Sequence, residues 1–276
     1  MTQNFHCGRF VLNAERPLIM GIVNLSDDSF SGDGLHGNAQ AAIAQARRLI
    51  EEGAHILDLG AESSRPGALP IPAQQEIDRL LPVLEDLRDC ATPLSVDTVK
   101  PDVMRVALAA GADMINDINA LRAPGALELV AASKAAVCLM HMQGDPDTMQ
   151  DAPHYADIVA EVVEFLAERV ATAEAAGIAL DRIAVDPGFG FGKSLEHNIE
   201  LLRRLGELLV PGLPLLVGLS RKSMLGLLTG RAATERIHAG VAANVLAVER
   251  GARIVRVHDV AATRDALAVL QAVEDY

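Results

Sequence analysis

The sequence has no tryptophan, and aromatic residues make up only 3% of its 276 positions. Proteins that bind single-stranded nucleic acid stack its bases on aromatic side chains, so this shortage argues against that class. Basic residues are also few, because 24 Lys and Arg stand against 37 Asp and Glu, for a formal net charge of −13. We therefore expect no nucleic-acid partner, although a few basic residues in one cleft can still hold an anionic ligand.

Cysteine is rare, and its spacing does not suit a structural role. Cys7, Cys90 and Cys138 are odd in number, lie far apart and include no C-x-x-C pair, which argues against a disulfide framework or a zinc site. Free thiols are typical of a reducing compartment. No apolar run reaches the roughly 18 residues that span a membrane, and residues 1–6 lack the features of a signal peptide. We expect a cytoplasmic protein that has no membrane partner.

One sequence pattern recurs along the chain, at residues 51–58, 110–117 and 250–258. A helix-like stretch ends at a glycine, and a short apolar run follows and finishes in polar residues. Glycine suits the left-handed conformation at the C terminus of a helix. A short apolar run is typical of a parallel strand covered on both faces.

The repeated pattern predicts eight strands that alternate with helices. The predicted strands are 18–25, 56–62, 93–98, 114–118, 136–142, 183–187, 214–220 and 254–259. The predicted helices are 39–52, 73–90, 101–110, 125–134, 155–176, 196–209, 233–250 and 261–274. This arrangement favours an α/β fold that is a single (β/α)8 TIM barrel over residues 1–276, with a short N-terminal hairpin within residues 5–17. A doubly wound sheet would use fewer strands or a second domain, and no linker marks one.

Polar residues stand with a period of two near the C-terminal ends of the predicted strands. They include Asn24, Asp58, Glu62, Asp97, Asn116, Asp186, Ser220, Arg256 and His258. Because side chains alternate across a strand, these residues share the face opposite the helices, which is the barrel lumen. Active sites of such barrels lie at the C-terminal rim. Each unpaired buried polar group costs about 1–3 kcal/mol, so a set this large indicates a ligand site.

Two further features do not by themselves indicate chemistry. Residues 188–194 look like a phosphate-binding loop, but only three residues separate Gly188 from Gly192, where that loop needs four. We interpret the segment as a flexible lip after the sixth strand. His141 stands alone between Met140 and Met142, and we interpret it as a structural residue rather than a metal ligand.

Eight motifs, in the family order, resemble those of the dihydropteroate synthases and cover essentially the whole chain. They are residues 20–31, 58–67, 95–98, 115–118, 140–142, 186–193, 218–223 and 256–259. The first motif has Asp27 where the family usually has Pro, and the second has Ala61 and Ser64 where Gly and Thr are frequent. Since proline fixes φ, we expect the first change to loosen its loop and not to alter the reaction.

The resemblance implies a reaction and a set of site residues. A 6-hydroxymethyl-7,8-dihydropterin pyrophosphate transfers its pterin-methyl group to 4-aminobenzoate, by a dissociative mechanism. The implied pterin-binding residues are Asp97, Asn116, Ile118, Met140, Asp186, Phe191, Gly218 and Lys222, of which Asp97, Asp186 and Lys222 are catalytic. The implied pyrophosphate-binding residues are Asn24, Ser64, Arg65, Arg256 and His258. The implied 4-aminobenzoate-binding residues are Phe30, Arg65, Pro66, Lys222 and Ser223.

The resemblance also implies Mg²⁺, held by the phosphates, Asn24 and water, and a homodimer. The apolar faces of residues 196–209 and 233–250 are available for the dimer contact. Two alternatives stay open: a pterin-binding methyltransferase domain, which would not need residues 220–223, and a non-catalytic pterin-binding paralogue. Release of pyrophosphate when both substrates are supplied distinguishes a catalyst from a binder.

Overall fold

The computed structural model describes residues 4–26, 38–63, 70–145, 148–210 and 212–275. In these ranges a two-stranded antiparallel hairpin precedes eight parallel strands. The hairpin strands are β1 (Asn4–Cys7) and β2 (Phe10–Asn13). The parallel strands are β3 (Leu18–Asn24), β4 (Ile56–Gly60), β5 (Leu94–Asp97), β6 (Met114–Asp117), β7 (Ala136–Met140), β8 (Ile183–Asp186), β9 (Leu216–Val217) and β10 (Ile254–Val257).

The eight parallel strands form a nearly closed barrel. Strands β3 to β8 pair in chain order, β3 also pairs with β10, and β10 pairs with β9. A single bridge between Val185 and Leu215 joins β8 to the segment before β9. The predicted barrel with an N-terminal hairpin is therefore confirmed. Its seventh barrel strand is shorter than the predicted 214–220, and Pro214 cannot donate a backbone hydrogen bond at its start.

Nine α-helices surround the barrel in the part of the chain described. They are α1 (Ala39–Glu52), α2 (Ala73–Leu87), α3 (Pro101–Ala110), α4 (Ala126–Ala131), α5 (Ile158–Ala175), α6 (Leu195–Arg203), α7 (Ser223–Thr229), α8 (Ile237–Glu249) and α9 (Val260–Glu274). None of them is long and apolar enough to cross a membrane. The sequence pattern missed α7, because its seven residues are too few to show a helical period.

Two apolar layers lie on either side of the barrel wall. The outer layer packs the strands against the helices, and α2, for example, buries Leu80, Val83 and Leu84 there. The inner layer fills the lower lumen with residues from the hairpin and the strand starts, including Phe5, Cys7, Met20, Ile56, Met114, Cys138, Ala184 and Ile254. Two residues further along several of these strands the lumen becomes polar, at Asp58, Asn116, Asp186 and Arg256. Apolar side chains therefore close the lower end of the lumen, and polar side chains line its upper end.

The hairpin is fastened to the barrel through the carboxylate of Asp113, which is 1% exposed. Asp113 accepts hydrogen bonds from the backbone N–H of Arg9 at 3.1 Å, from Arg9 Nε at 2.9 Å and from the backbone N–H of Leu94 at 3.1 Å. Gly8 makes this approach possible, because a Cβ there would lie 2.5 Å from Asp113 Oδ1. The hairpin thus covers the lower end of the barrel, opposite the polar end.

We expect Asp113→Ala to lower the free energy of unfolding by about 2–4 kcal/mol, because it leaves the Leu94 N–H without its acceptor and Arg9 without its charge partner. Urea unfolding measures this loss. The control is Asp102→Ala, whose side chain is 76% exposed beside Arg105 and should change stability by less than about 0.5 kcal/mol. Equal unfolding midpoints for the two variants would contradict the anchoring role of Asp113.

Candidate active site

A cavity of about 500 Å³ opens at the C-terminal ends of the barrel strands. The structure brings together in its wall Asn24, Asp97, Asn116, Ile118, Met140, Asp186, Phe191, Gly218, Lys222, Ser223, Arg256 and His258. Every site residue that is predicted from the sequence and lies within the described ranges is therefore in this wall. Phe30, Ser64, Arg65 and Pro66, together with the altered position Asp27, lie outside the described residues. The roles assigned to the individual residues stay predictions.

Arg256 joins two carboxylates across the lumen, and it does so from the floor of the cavity. Its Nε donates to Asp58 Oδ2, and its terminal nitrogen donates to Asp97 Oδ2 at 2.7 Å. Asn116 Nδ2 also donates to Asp58 Oδ2, at 3.1 Å. Asp58 is completely buried. Four strands, β4, β5, β6 and β10, are thereby tied together at one level of the barrel.

The charged groups of this network shift one another's pKa values. Burial raises the pKa of Asp97, the positive charge of Arg256 lowers it, and the negative charge of Asp58 raises it again. Burial alone would lower the pKa of Arg256, but Asp58 and Asp97 raise it above its ordinary value. Arg256 is therefore always protonated. The balance of these effects raises the pKa of Asp97 to about 7. When Asp97 is ionised, its carboxylate favours a positive charge in the cavity above it.

A second group of side chains surrounds Asp186 on the other side of the cavity. Asp186 ends β8 and accepts a hydrogen bond from the Gly188 N–H at 2.7 Å. Burial raises the pKa of Asp186, while the Gly188 hydrogen bond and the charge of Lys222 lower it. Lys222 Nζ lies 4.2 Å from the centroid of the Phe191 ring, a cation–π distance. Burial lowers the pKa of Lys222, and the charge of Arg256 lowers it further.

One wall of the cavity is apolar. Ile118, Met140, Met142, Met149 and Phe191 form a buried cluster that is separate from the main core. Thioether and aromatic side chains of this kind suit the face of a flat ring. Beside the carboxylate and amide groups, they make a slot that is apolar on its faces and polar along its edge.

The third group lies at the mouth, on the segment between β9 and α7. His258 Nδ1 lies 3.0 Å from Ser220 Oγ, and Arg221 pairs with Asp259 at 2.8 Å. Arg221 adopts a φ of 59°, a left-handed conformation that is unfavourable for arginine. Arg236 stabilises it by donating to the Arg221 carbonyl at 2.9 Å. The sequence reasoning missed Arg236, since nothing in its local pattern indicates a contact that distant in the chain.

Asn24 is the one residue of the cavity predicted to bind a metal. Among the described residues, no three His, Cys, Asp or Glu side chains are grouped so that they could hold a metal ion. Asn24 lies in the cavity wall beside Gly60, with Asp97 on the next strand. Mg²⁺ is often held by substrate phosphates and water with few protein ligands. The described residues fit Mg²⁺ in that form, and they do not make a site for the free ion.

Comparison with known proteins relates this cavity to a family. A family model described as pterin binding enzyme matches residues 20–258. The chain is 52% identical over 275 residues to the dihydropteroate synthase of Neisseria meningitidis serogroup B, covering 97% of this chain and 96% of that protein. It is 47% identical over 262 residues to the dihydropteroate synthase of Escherichia coli K12, covering 95% of this chain and 93% of that protein.

Solved structures give the same relation. Dihydropteroate synthase of Burkholderia cenocepacia complexed with 7,8-dihydropteroate has a TM-score of 0.91 at 50% identity, covering 99% of this chain and 96% of that chain. The Xanthomonas albilineans enzyme with 4-aminobenzoic acid has a TM-score of 0.93 at 53% identity, covering 100% of both chains. The Yersinia pestis enzyme in a sulfonamide drug complex has a TM-score of 0.96 at 44% identity, covering 99% of this chain and 100% of that chain.

The lumen network gives a prediction about stability. Arg256→Met should lower the free energy of unfolding by about 3–5 kcal/mol, because Asp58 is left buried without its cation. The double variant Arg256→Met/Asp58→Asn should recover much of that loss, since the buried charge is removed at nearly constant volume. Urea unfolding compares the two, with the exposed Arg203→Met as the control for loss of an arginine. Equal stability of the single and double variants would contradict the network.

Proposed function

The chain belongs to the dihydropteroate synthase family, and from that premise we propose how its cavity catalyses the family reaction. The substrates are 6-hydroxymethyl-7,8-dihydropterin pyrophosphate and 4-aminobenzoate, and the products are 7,8-dihydropteroate, a folate precursor, and pyrophosphate. The bond between the pterin methylene carbon and oxygen breaks, a carbon–nitrogen bond forms, and the amine loses one proton. The observation that carries the proposal is the slot bounded by Asp186, Asn116 and the apolar cluster.

The slot matches a pterin by shape and by hydrogen bonding. A pterin carries an amide and an amino group on one edge, and these donate to a carboxylate in paired hydrogen bonds. Asp186 and Asn116 line the cavity at the right level to meet that edge, and Lys222 offers a donor beside them. Met140 and Phe191 contact the ring faces, with Ile118 below.

The Asp97 carboxylate in the lumen network supports a dissociative reaction. The dihydropterin ring delocalises positive charge from its methylene carbon as pyrophosphate departs. Asp97 lies in the cavity wall and accepts a hydrogen bond from Arg256, whose charge lowers the pKa of Asp97 against the effect of burial. Its ionised carboxylate would stabilise the cation as it forms. An arylamine attacks as a neutral nucleophile, and the site therefore needs no strong base.

The mouth of the cavity binds the charged parts of both substrates. Asn24, Arg256 and His258 line the cavity, and together with Ser64 and Arg65 they make up the proposed pyrophosphate-binding set. Asn24 and the substrate phosphates would hold Mg²⁺, which would offset the negative charge of the leaving pyrophosphate. Ser223 and Lys222 lie on the 4-aminobenzoate side, for which Phe30, Arg65 and Pro66 are also proposed. A methyltransferase domain would not need this segment of residues 220–223.

We propose that the protein is a homodimer whose contact lies on the side of α6, α7 and α8. Leu227 and Leu228 on α7 are 69% and 56% exposed, and Ile199 on α6 and Leu246 on α8 are also exposed. A second copy of the chain would cover these residues. The cytoplasm is the proposed location, because the cysteines are free thiols.

The pterin edge gives the direct test of the proposed site. Asp186→Asn should weaken binding of 6-hydroxymethylpterin by about 2–4 kcal/mol, or roughly 30- to 1,000-fold, because an amide cannot accept both donors as a carboxylate does. Calorimetric titration measures it. Asp117→Asn is the matched control, since Asp117 is equally buried but caps the backbone N–H groups of Asn119 and Leu121. Binding by Asp186→Asn within threefold of wild type would contradict the assignment.

A further inference from the structure

Two features without an assigned chemical role, Lys193 and His141, meet in the structure. Lys193 is only 3% exposed. Its Nζ lies 2.9 Å from His141 Nδ1 and 2.9 Å from the carbonyl oxygen of Phe191. Burial and, to a smaller extent, the charge of Lys193 lower the pKa of His141 to about 3, so His141 is neutral. An ammonium group only donates, so Nδ1 accepts from Lys193 and the proton of the imidazole is on Nε2.

The contact with Phe191 joins Lys193 to the cavity wall. Residues 188–192, the glycine-rich loop, approach the end of β7 so closely that a Cβ at Gly188 would lie 1.9 Å from the His141 carbonyl oxygen. The loop is also held by two side chains: the Gly190 N–H donates to Asn198 Oδ1, and the Tyr155 hydroxyl donates to the Gly192 carbonyl. Lys193 is the charged side chain that binds the carbonyl of Phe191, the residue whose ring lies against Lys222. It therefore fixes the backbone of a residue that lines the slot.

Lys193 is a buried cation whose two hydrogen-bond partners are neutral. Its charge nevertheless acts on Asp186, because each group shifts the pKa of the other toward the ionised form. Burial lowers the pKa of Lys193 to about 7. Lys193 is therefore still charged at the acidic pH values at which Asp186 becomes protonated.

We propose that Lys193 is a positioning residue for the pterin site. Through His141 and the Phe191 carbonyl it holds one wall of the slot, and its buried positive charge favours the form of Asp186 that accepts hydrogen bonds. This proposal rests on the proposed function, in which the Asp186 carboxylate binds the pterin edge.

The direction of the pH effect follows from the charges that face Asp186. Lys222 from the β9–α7 segment, Arg256 from β10 and Lys193 all lower the pKa of Asp186, against burial. Two more charged groups act on the neighbouring residues Lys222 and His141. Asp97 on β5 raises the pKa of Lys222, and Arg122 lowers the pKa of His141. Pterin affinity is present when Asp186 is ionised and is lost as the pH falls through its pKa. Removing Lys193 raises that pKa, so affinity should be lost at a higher pH.

The test is Lys193→Met, with calorimetric binding of 6-hydroxymethylpterin measured between about pH 5 and pH 8. We expect the acid limb of the affinity profile to move to higher pH, because the charge of Lys193 lowers the pKa of Asp186. Affinity should also fall above that limb, because the wall is loosened. Lys134→Met is the matched control, since Lys134 is an exposed lysine just before β7, and its profile should match that of wild type.

A second pair of variants covers the case in which Lys193→Met does not fold. His141→Leu removes an acceptor of Lys193 and should weaken pterin binding, whereas His141→Asn places an amide oxygen near the position of Nδ1 and should restore it. An unchanged acid limb with affinity within threefold of wild type in Lys193→Met, or equal affinities for the two His141 variants, would overturn the proposal. Pterin binding retained in Asp186→Asn would instead mean that the proposed function itself is wrong at this residue.

Discussion

The salt bridge of Arg256 with Asp58 and Asp97 is the interaction on which the rest of the site depends. It occupies the level of the lumen where the apolar filling ends and the cavity begins. Charges taken this far from water are stable only when they are paired and hydrogen-bonded. The network pairs both carboxylates with Arg256. The barrel thereby holds carboxylates in fixed positions below the place where the pterin methylene would become positive.

Charge in the cavity is distributed differently from charge on the chain as a whole. The chain has a net charge of −13, yet Lys193, Lys222 and Arg256 are concentrated around the slot and its floor. Arg256 lowers the pKa of Asp97, and all three cations lower the pKa of Asp186, against the opposing effect of burial. The same cations attract a ligand that carries phosphates. The cavity thus combines acceptors for a donor-rich ring edge with cations for an anionic leaving group, two properties that one bisubstrate reaction requires together.

Much of the fold and of the site could be predicted from the sequence because the barrel repeats a local pattern. Glycine-ended helices, short apolar strands and polar residues at the strand ends are all local, and they placed Asn116 and Asp186 in one cavity. The sequence pattern missed elements without a local period or gave them the wrong length. Helix α7 is too short to show a period, and Pro214 shortens β9. The partners of Arg256 and the contact of Lys193 with His141 join residues distant in the chain. Only the three-dimensional structure reveals such contacts.

The most direct measurement supplies the purified protein with 6-hydroxymethyl-7,8-dihydropterin pyrophosphate and 4-aminobenzoate and follows both products, with and without Mg²⁺. A catalyst built on this lumen network should form pyrophosphate and 7,8-dihydropteroate in equal amounts when both substrates and Mg²⁺ are present. Asp186→Asn should lose both products together. Binding of the pterin without release of pyrophosphate, or release of pyrophosphate without formation of dihydropteroate, would contradict the proposed function.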